Sequence, residues 1–379
     1  MLSSFSTMWT EFVAMFMSFI MSFGTLFGIY VPPSTSAPED YLDSDVKNVI
    51  LLIGDGMGFY HLEKAEQERN FTLTMDEFSI RGDSMTRSFS AAVTDSAAGG
   101  TALATGIRTT NGCIGVYPMD MTATFSYPKN ITELCSERGI LTGVITSDET
   151  SGATPSAFSA HSSDRGNKED ITDDQLRSPI DLIWGTENGL VSKSDARAHG
   201  YTYVTSYDEM MALEEGSRSF AHFTNDLWTL EQSDADTPTL KQMTVKAIDI
   251  LDDTDEGFFL MVEGAHIDKH SHSNDDAKMT EAVEAFDKTI EYVLEYAKND
   301  GETLVIITAD HETGGIVKND NGTYSFTQGS HSAANVPVLV YGSRNIIQTG
   351  ETLNNYEIPI RIAYALGFTE DQFPYEVAA

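Results

Sequence analysis

Positive charge and cysteine are what this chain has least of. Lysine and arginine number 23 against 58 aspartates and glutamates, a formal charge of −35 with a pI near 4.3 over 379 residues. So acidic a surface repels nucleic acid and anionic membranes, and neither is expected as a partner. The acidic residues are spread along the chain rather than collected in a tail. Two readings follow: a secreted protein kept soluble by its charge, or one adapted to high salt, where the Debye length shrinks to about 3 Å at 1 M. The two cysteines, Cys113 and Cys135, are too few for a disulfide framework and have no Cys-x-x-Cys spacing. They are buried thiols or a single disulfide, with free thiols the preferred reading. No internal repeat is visible. The turn Gly54-Asp55-Gly56-Met57-Gly58 lacks the Gly-x-Gly-x-x-Gly spacing of a dinucleotide site.

The first lysine or arginine is Lys47, so the amino terminus carries no positive flank. Phe12 to Val31 is a run of twenty uncharged, mostly apolar residues. It is long enough to span a bilayer as a helix, or to be a signal-peptide core followed by the small residues Ser34-Thr35-Ser36-Ala37. A buried core helix is the remaining alternative. Export is the reading adopted. Residues 1–31 are then a signal peptide or membrane anchor, 32–45 a polar linker, and 46–379 the folded domain. The expected location is periplasmic, extracellular or membrane-anchored, with membrane contact only through the amino-terminal segment if it stays uncleaved.

A hydrophobic content of 41% and this length can fill a large core. Short apolar runs at 49–53, 141–145, 258–262, 303–307 and 336–340 read as buried strands. Shorter strands are expected at 202–205 and 220–223. Helical patterns lie between them: Thr237 to Leu251, with Thr237 as cap and Pro238 in its first position, then about Asp276 to Lys298, and Ile358 to Leu366. This alternation predicts an α/β fold, a mostly parallel central sheet sandwiched by helices on both faces. Open sheets of that kind gather ligands at the carboxyl ends of their strands. Three of the runs end there on a carboxylate, at Asp55, Glu263 and Asp310.

The segment Val93-Thr94-Asp95-Ser96-Ala97-Ala98-Gly99-Gly100-Thr101-Ala102-Leu103-Ala104-Thr105-Gly106 favours a helix with Ser96 at or near its start and Gly106 at its end. Free N–H groups and the helix dipole favour an anion there. By itself Ser96 reads more simply as an N-cap. Metal-type ligands elsewhere change its meaning. Five of the nine histidines fall at 266, 270, 272, 311 and 331, close to aspartates. Histidine with aspartate suits zinc. Two metals roughly 4 Å apart can neutralise a phosphoryl group and stabilise both attacking and leaving oxygens. A serine beside one of them becomes a nucleophile.

The segments GDGMG, VTDSAAGGTALATG, ATPSAFSAHSSDR, VEGAHIDKHSH and TADHETGG, in this order and spacing, resemble the alkaline phosphatases from Lys47 onward. The resemblance implies a catalytic domain over 46–379 that hydrolyses small phosphate monoesters through phosphoserine, at two zinc ions and one magnesium, in a homodimer. Ser96 would be the nucleophile, and Arg165 would clamp two phosphoryl oxygens. Asp268, His272 and His331 would bind the first zinc, and Asp55, Asp310 and His311 the second. Asp55, Thr154 and Glu263 would bind magnesium, and Lys269 would reach the phosphate through water. His331 stands in Ser330-His331-Ser332 rather than the family's His-Thr-Gly type of context. Gly152 occupies a position where the family carries Asp or His, which implies weak magnesium binding unless Asp148 or Glu149 compensates. A phosphodiesterase or nucleotide pyrophosphatase of the same superfamily is the alternative, disfavoured by Ser96 together with Arg165. The Pro-Arg spacing of a sulfatase nucleophile is absent after Ser96.

Overall fold

The computed structural model describes residues 46–118, 125–224, 226–252, 254–342 and 346–374. The amino-terminal apolar run and the linker lie outside them. Among the described residues no helix is long and apolar enough to cross a membrane.

Ten strands make the central sheet. In chain order they are β1 (Asn48–Gly54), β2 (Ile80–Met85), β3 (Leu141–Glu149), β4 (Leu182–Thr186), β5 (Thr202–Val204), β6 (Ser219–Phe223), β7 (Phe258–Gly264), β8 (Thr303–Thr308), β9 (Val336–Tyr341) and β10 (Thr352–Asn354). Across the sheet they stand in the order β10-β2-β9-β8-β1-β7-β3-β4-β6-β5. Of these strands β9 alone runs against the others, antiparallel to both β8 and β2. The remaining neighbours pair in parallel. The mostly parallel α/β sheet expected from the apolar runs is the observed fold.

β1 lies at the centre, and all seven of its residues are buried. A strand covered on both faces must be apolar, which Val49–Gly54 satisfies, while Asn48 at its start donates to Thr303 Oγ1 at 3.3 Å. Its alternate side chains feed two cores. Ile50 and Leu52 join Met279, Val283, Phe286 and Ile290 of the Asp276–Asp300 helix on one face. Val49, Leu51 and Ile53 join Ala97, Leu103 and Ala104 of the Ser96–Thr105 helix on the other. Cys113 and Cys135 are buried free thiols, which closes the disulfide alternative.

The helix expected from Thr237 begins later, at Leu240, with Thr239 as its cap. The reason is reciprocal hydrogen bonding. The Gln242 N–H donates to Thr239 Oγ1 at 3.2 Å, and the Thr239 N–H donates to Gln242 Oε1 at 2.8 Å. Counted from Thr237 the same third position is Leu240, which has no acceptor to offer. β2 and β10 follow no apolar run: the IRGDSM of β2 is half-exposed for most of its length.

Gly99 shows how tightly the Ser96–Thr105 helix is set against the end of β8. A Cβ placed there would stand 2.8 Å from the Asp310 carbonyl oxygen and 3.1 Å from its Cβ. Alanine in a helix interior ordinarily gains about 0.5–1 kcal/mol over glycine, whereas overpacking against fixed backbone costs about 1–3 kcal/mol. Gly99→Ala is therefore expected to lower Tm in thermal unfolding. A rise in Tm would show that the helix can move off Asp310.

Candidate active site

Asp95 organises the start of the Ser96–Thr105 helix. Its Oδ1 accepts the Ala98 N–H at 3.0 Å, and its Oδ2 accepts the Gly112 N–H at 2.9 Å and Arg165 Nη1 at 3.1 Å. Asp95 is thus the N-cap and Ser96 the first helical residue. The Ser96 hydroxyl is not spent as a cap, so the simpler of its two readings fails. Instead its Oγ lies 3.1 Å from His311 Nε2, in a buried setting. Arg165, about 41% exposed, has one guanidinium nitrogen held by the same Asp95.

Two groups of donors converge beside this serine: Asp268 with His272 and His331, and Asp55 with Asp310 and His311. The parallel register explains the second group. Ile53 of β1 stands opposite Thr308 of β8 and Glu263 of β7, so the residues that follow these strands emerge at one level. In the first group, His272 Nδ1 donates to the Gly329 carbonyl and His331 Nδ1 to the Thr94 carbonyl, each at 2.9 Å. Both rings therefore turn Nε2 inward, 3.1 Å apart, with Asp268 Oδ2 3.3 Å from that of His272. Two facing lone pairs and a carboxylate call for a shared cation. The second group makes the same demand. Asp310 Oδ1 accepts the N–H groups of Gly56 and His311, but its Oδ2 and Asp55 Oδ1 are buried with no hydrogen-bond partner. These atoms lie 3.3 and 3.5 Å from His311 Nε2. The His311 and His331 rings stack at 3.6 Å, which sets the two groups side by side.

The electrostatics agree. Burial pushes the Asp55 carboxyl well up, and Asp310, Asp268 and Glu263 push it further. Burial also raises Asp268, but His272, His311 and Thr313 outweigh it and hold this carboxyl below its usual range. The Asp268 carboxylate in turn raises His272 to about 9.

Glu263, whose charge acts on Asp55, belongs to neither group. Thr154 is buried with its Oγ1 unpartnered, and Glu263 is buried with Oε2 accepting the Thr146 hydroxyl. Gly152 caps the short Ala153–Ala157 helix, and a Cβ there would meet the Glu149 carbonyl oxygen at 2.9 Å. Neither residue proposed to replace a side chain at 152 is free: Asp148 pairs with Lys269, and Glu149 accepts Lys168 Nζ at 3.3 Å. Lys269 is thus turned to Asp148 and half-exposed. His266 and His270, drawn from the same histidine-rich segment, pack on Trp228 instead of joining the donors.

The alkaline phosphatase family profile matches residues 46–182 and 184–355. The chain belongs to the alkaline phosphatase family. Alkaline phosphatase 4 of Bacillus subtilis is 34% identical over 300 residues, 74% of this chain and 64% of that relative. The Escherichia coli alkaline phosphatase is 30% identical over 381 residues, 82% of this chain and 80% of the relative. The solved alkaline phosphatase of the Antarctic bacterium TAB5 superposes with a TM-score of 0.73 at 30% identity, over 86% of this chain and 98% of that one. A mutant of the TAB5 enzyme, with Mg bound in the M3 site, gives a TM-score of 0.72 at 31% identity, covering 86% and 99%. Against the first of the curated relatives, then, the chain spans a little under two thirds of the length.

Two residues of the TADHETGG segment to which the sequence reading gave no role also support the donors. Glu312 is buried; its Oε1 accepts the Ile316 N–H at 3.1 Å, and its Oε2 accepts the Gly315 N–H at 3.3 Å and the Ser332 hydroxyl. It thereby ties the strand after His311 to the strand that carries His331. Thr313 lies beside it, paired in register with His331. The two-residue ribbon that joins them, Glu312–Thr313 with His331–Ser332, is too short for any periodic pattern.

Glu263 gives this centre a distinct pH signature. Burial raises its carboxyl to about 8 from a reference of 4.5. The unfolded chain releases that proton near 4.5 while the folded chain retains it, so stability of the metal-free protein falls as pH rises from about 4.5 to about 8. In chelator-treated protein, Tm is expected to decline across this window, and Glu263→Gln should flatten the slope. An unchanged slope in the variant would reject Glu263 as its source.

Proposed function

We propose that residues 46–379 form a catalytic domain that hydrolyses phosphate monoesters to an alcohol and inorganic phosphate through a phosphoserine at Ser96. The observation that carries this reading is a helix-start serine hydroxyl, unspent as a cap, beside two converging groups of metal-type donors. Asp268, His272 and His331 would hold one zinc and Asp55, Asp310 and His311 the other. The unpartnered carboxylate oxygens and inward-turned imidazoles fit such ions. When bound, these ions would supply Lewis-acid polarisation and a lowered pKa for coordinated hydroxyl groups. Asp55, Thr154 and Glu263, all oxygen donors, would take magnesium.

The chain's own residues have separate tasks. Ser96 Oγ forms the new bond to phosphorus while the ester oxygen leaves with its electron pair; water then displaces Ser96, giving phosphate and the free serine. The Asp95–Arg165 pair leaves the rest of the guanidinium free to hold two phosphoryl oxygens. The Ser96 and Ala97 N–H groups at the helix start would face the same anion. Lys269, held by Asp148, would act on the phosphate through water. An exported homodimer completes the reading.

Ser96→Ala is expected to lower p-nitrophenyl phosphate turnover by about a thousandfold or more and to abolish phosphate trapping on the protein, with the bis-ester a poor substrate throughout. Chelation should remove the activity and zinc should restore it. Trapped phosphate in the Ser96→Ala protein, or preference for the bis-ester, would overturn the reading. Because Gly152 adds no ligand and its neighbours are engaged, magnesium should bind the zinc-loaded protein weakly, without saturating it at micromolar concentration. Saturation at micromolar magnesium would reject that part.

A further inference from the structure

We propose that the Thr313 hydroxyl is the positioning group that couples the two donor groups, setting the Asp268 carboxylate of one and the His311 imidazole of the other at the same time. This rests on the two-metal reading above.

Thr313 is fully buried between the groups. Its backbone N–H donates to the Gly56 carbonyl at 3.0 Å, next to Asp55, and its strand pairs in register with His331. The side chain completes the bridge: Oγ1 donates to Asp268 Oδ1 and lies 3.2 Å from His311 Nδ1. A hydroxyl has a single proton to give. With that proton on Asp268, the oxygen accepts from His311, so Nδ1 carries hydrogen and Nε2 is left bare. The bare nitrogen is the one that faces Asp55, Asp310 and Ser96. On the other side, Asp268 Oδ1 is occupied and Oδ2 is directed at His272.

Of the three donor histidines, His272 and His331 take their tautomers from backbone carbonyls, which no substitution removes. His311 takes its tautomer from a side chain. Threonine is β-branched and restricted at χ1, so the hydroxyl is held on this line. Valine has the same shape and strand preference, and would serve as well if Thr313 were only a packing residue. Outer partners of metal-binding histidines and carboxylates typically contribute 10–100-fold to metal affinity.

The test compares wild type, Thr313→Val and Thr313→Ser as full chains by zinc titration against a competing chelator. The Tm of each metal-free protein is followed alongside. Thr313→Val is expected to weaken both zinc sites by about 10–100-fold, and Thr313→Ser to restore both. Loss at one site only, or at neither, overturns the coupling. Nitrogen NMR of metal-free wild-type protein needs no variant: His311 should be protonated on Nδ1, and protonation on Nε2 overturns the proposal even if Thr313→Val fails to fold. If wild-type protein takes up no zinc, the two-metal reading falls and this inference with it. If wild type takes two and Thr313→Val holds both as tightly, the coupling alone is wrong.

Discussion

Repulsion among buried carboxylates is the constraint around which the rest of this structure is arranged. Asp55, Glu263, Asp268 and Asp310 are all buried at one end of the sheet, and Asp55 and Glu263 are pushed toward the neutral form as a result. Two unit charges 4 Å apart repel by about 4 kcal/mol at an effective dielectric of 20. A loop could relax away from such a cluster. Here it cannot, because β1, β7 and β8 are mostly apolar, buried along their whole length and locked in parallel register. The sheet supplies the rigidity, and the charge it confines creates an affinity for cations.

Around that cluster the polar contacts are economical. Asp95 starts a helix, holds the Gly112 turn and grips Arg165, so the serine and the arginine share one anchor. Glu312 performs a similar task at the other edge, drawing the ribbon that carries His331 against the residues after His311. Each uses one side chain to fix two chain segments apart in sequence, and carboxylates with several N–H and O–H partners are well suited to that.

The parts legible in the sequence were those with a repeating or extended signal. Val49–Ile53, 258–262 and 303–307 announced buried strands by apolar content alone, and the carboxylates after them fell where such sheets place ligands. The donor groups were legible from motif resemblance, and the geometry brings those residues together. What escaped was set by tertiary contact. The IRGDSM of β2 is a strand because it pairs with β9 and β10, not because of its composition. Thr237 and Thr239 are indistinguishable as caps until Gln242 is seen to answer one of them. Thr313 and Glu312 sit inside a recognised segment, but only their neighbours across the ribbon give them a task.

The lone reversed strand also decides from which side the chain can enter. Asp55, Glu263 and Asp310 lie at or just past the downstream ends of their strands, whereas His331 comes before β9. Had those six residues run with their neighbours, the segment leading into them would have begun at the far rim of the sheet, about 20 Å away at roughly 3.3 Å per residue. Turning one strand around lets an approach segment do what elsewhere only an exit segment can, and so the last imidazole arrives without a long return loop.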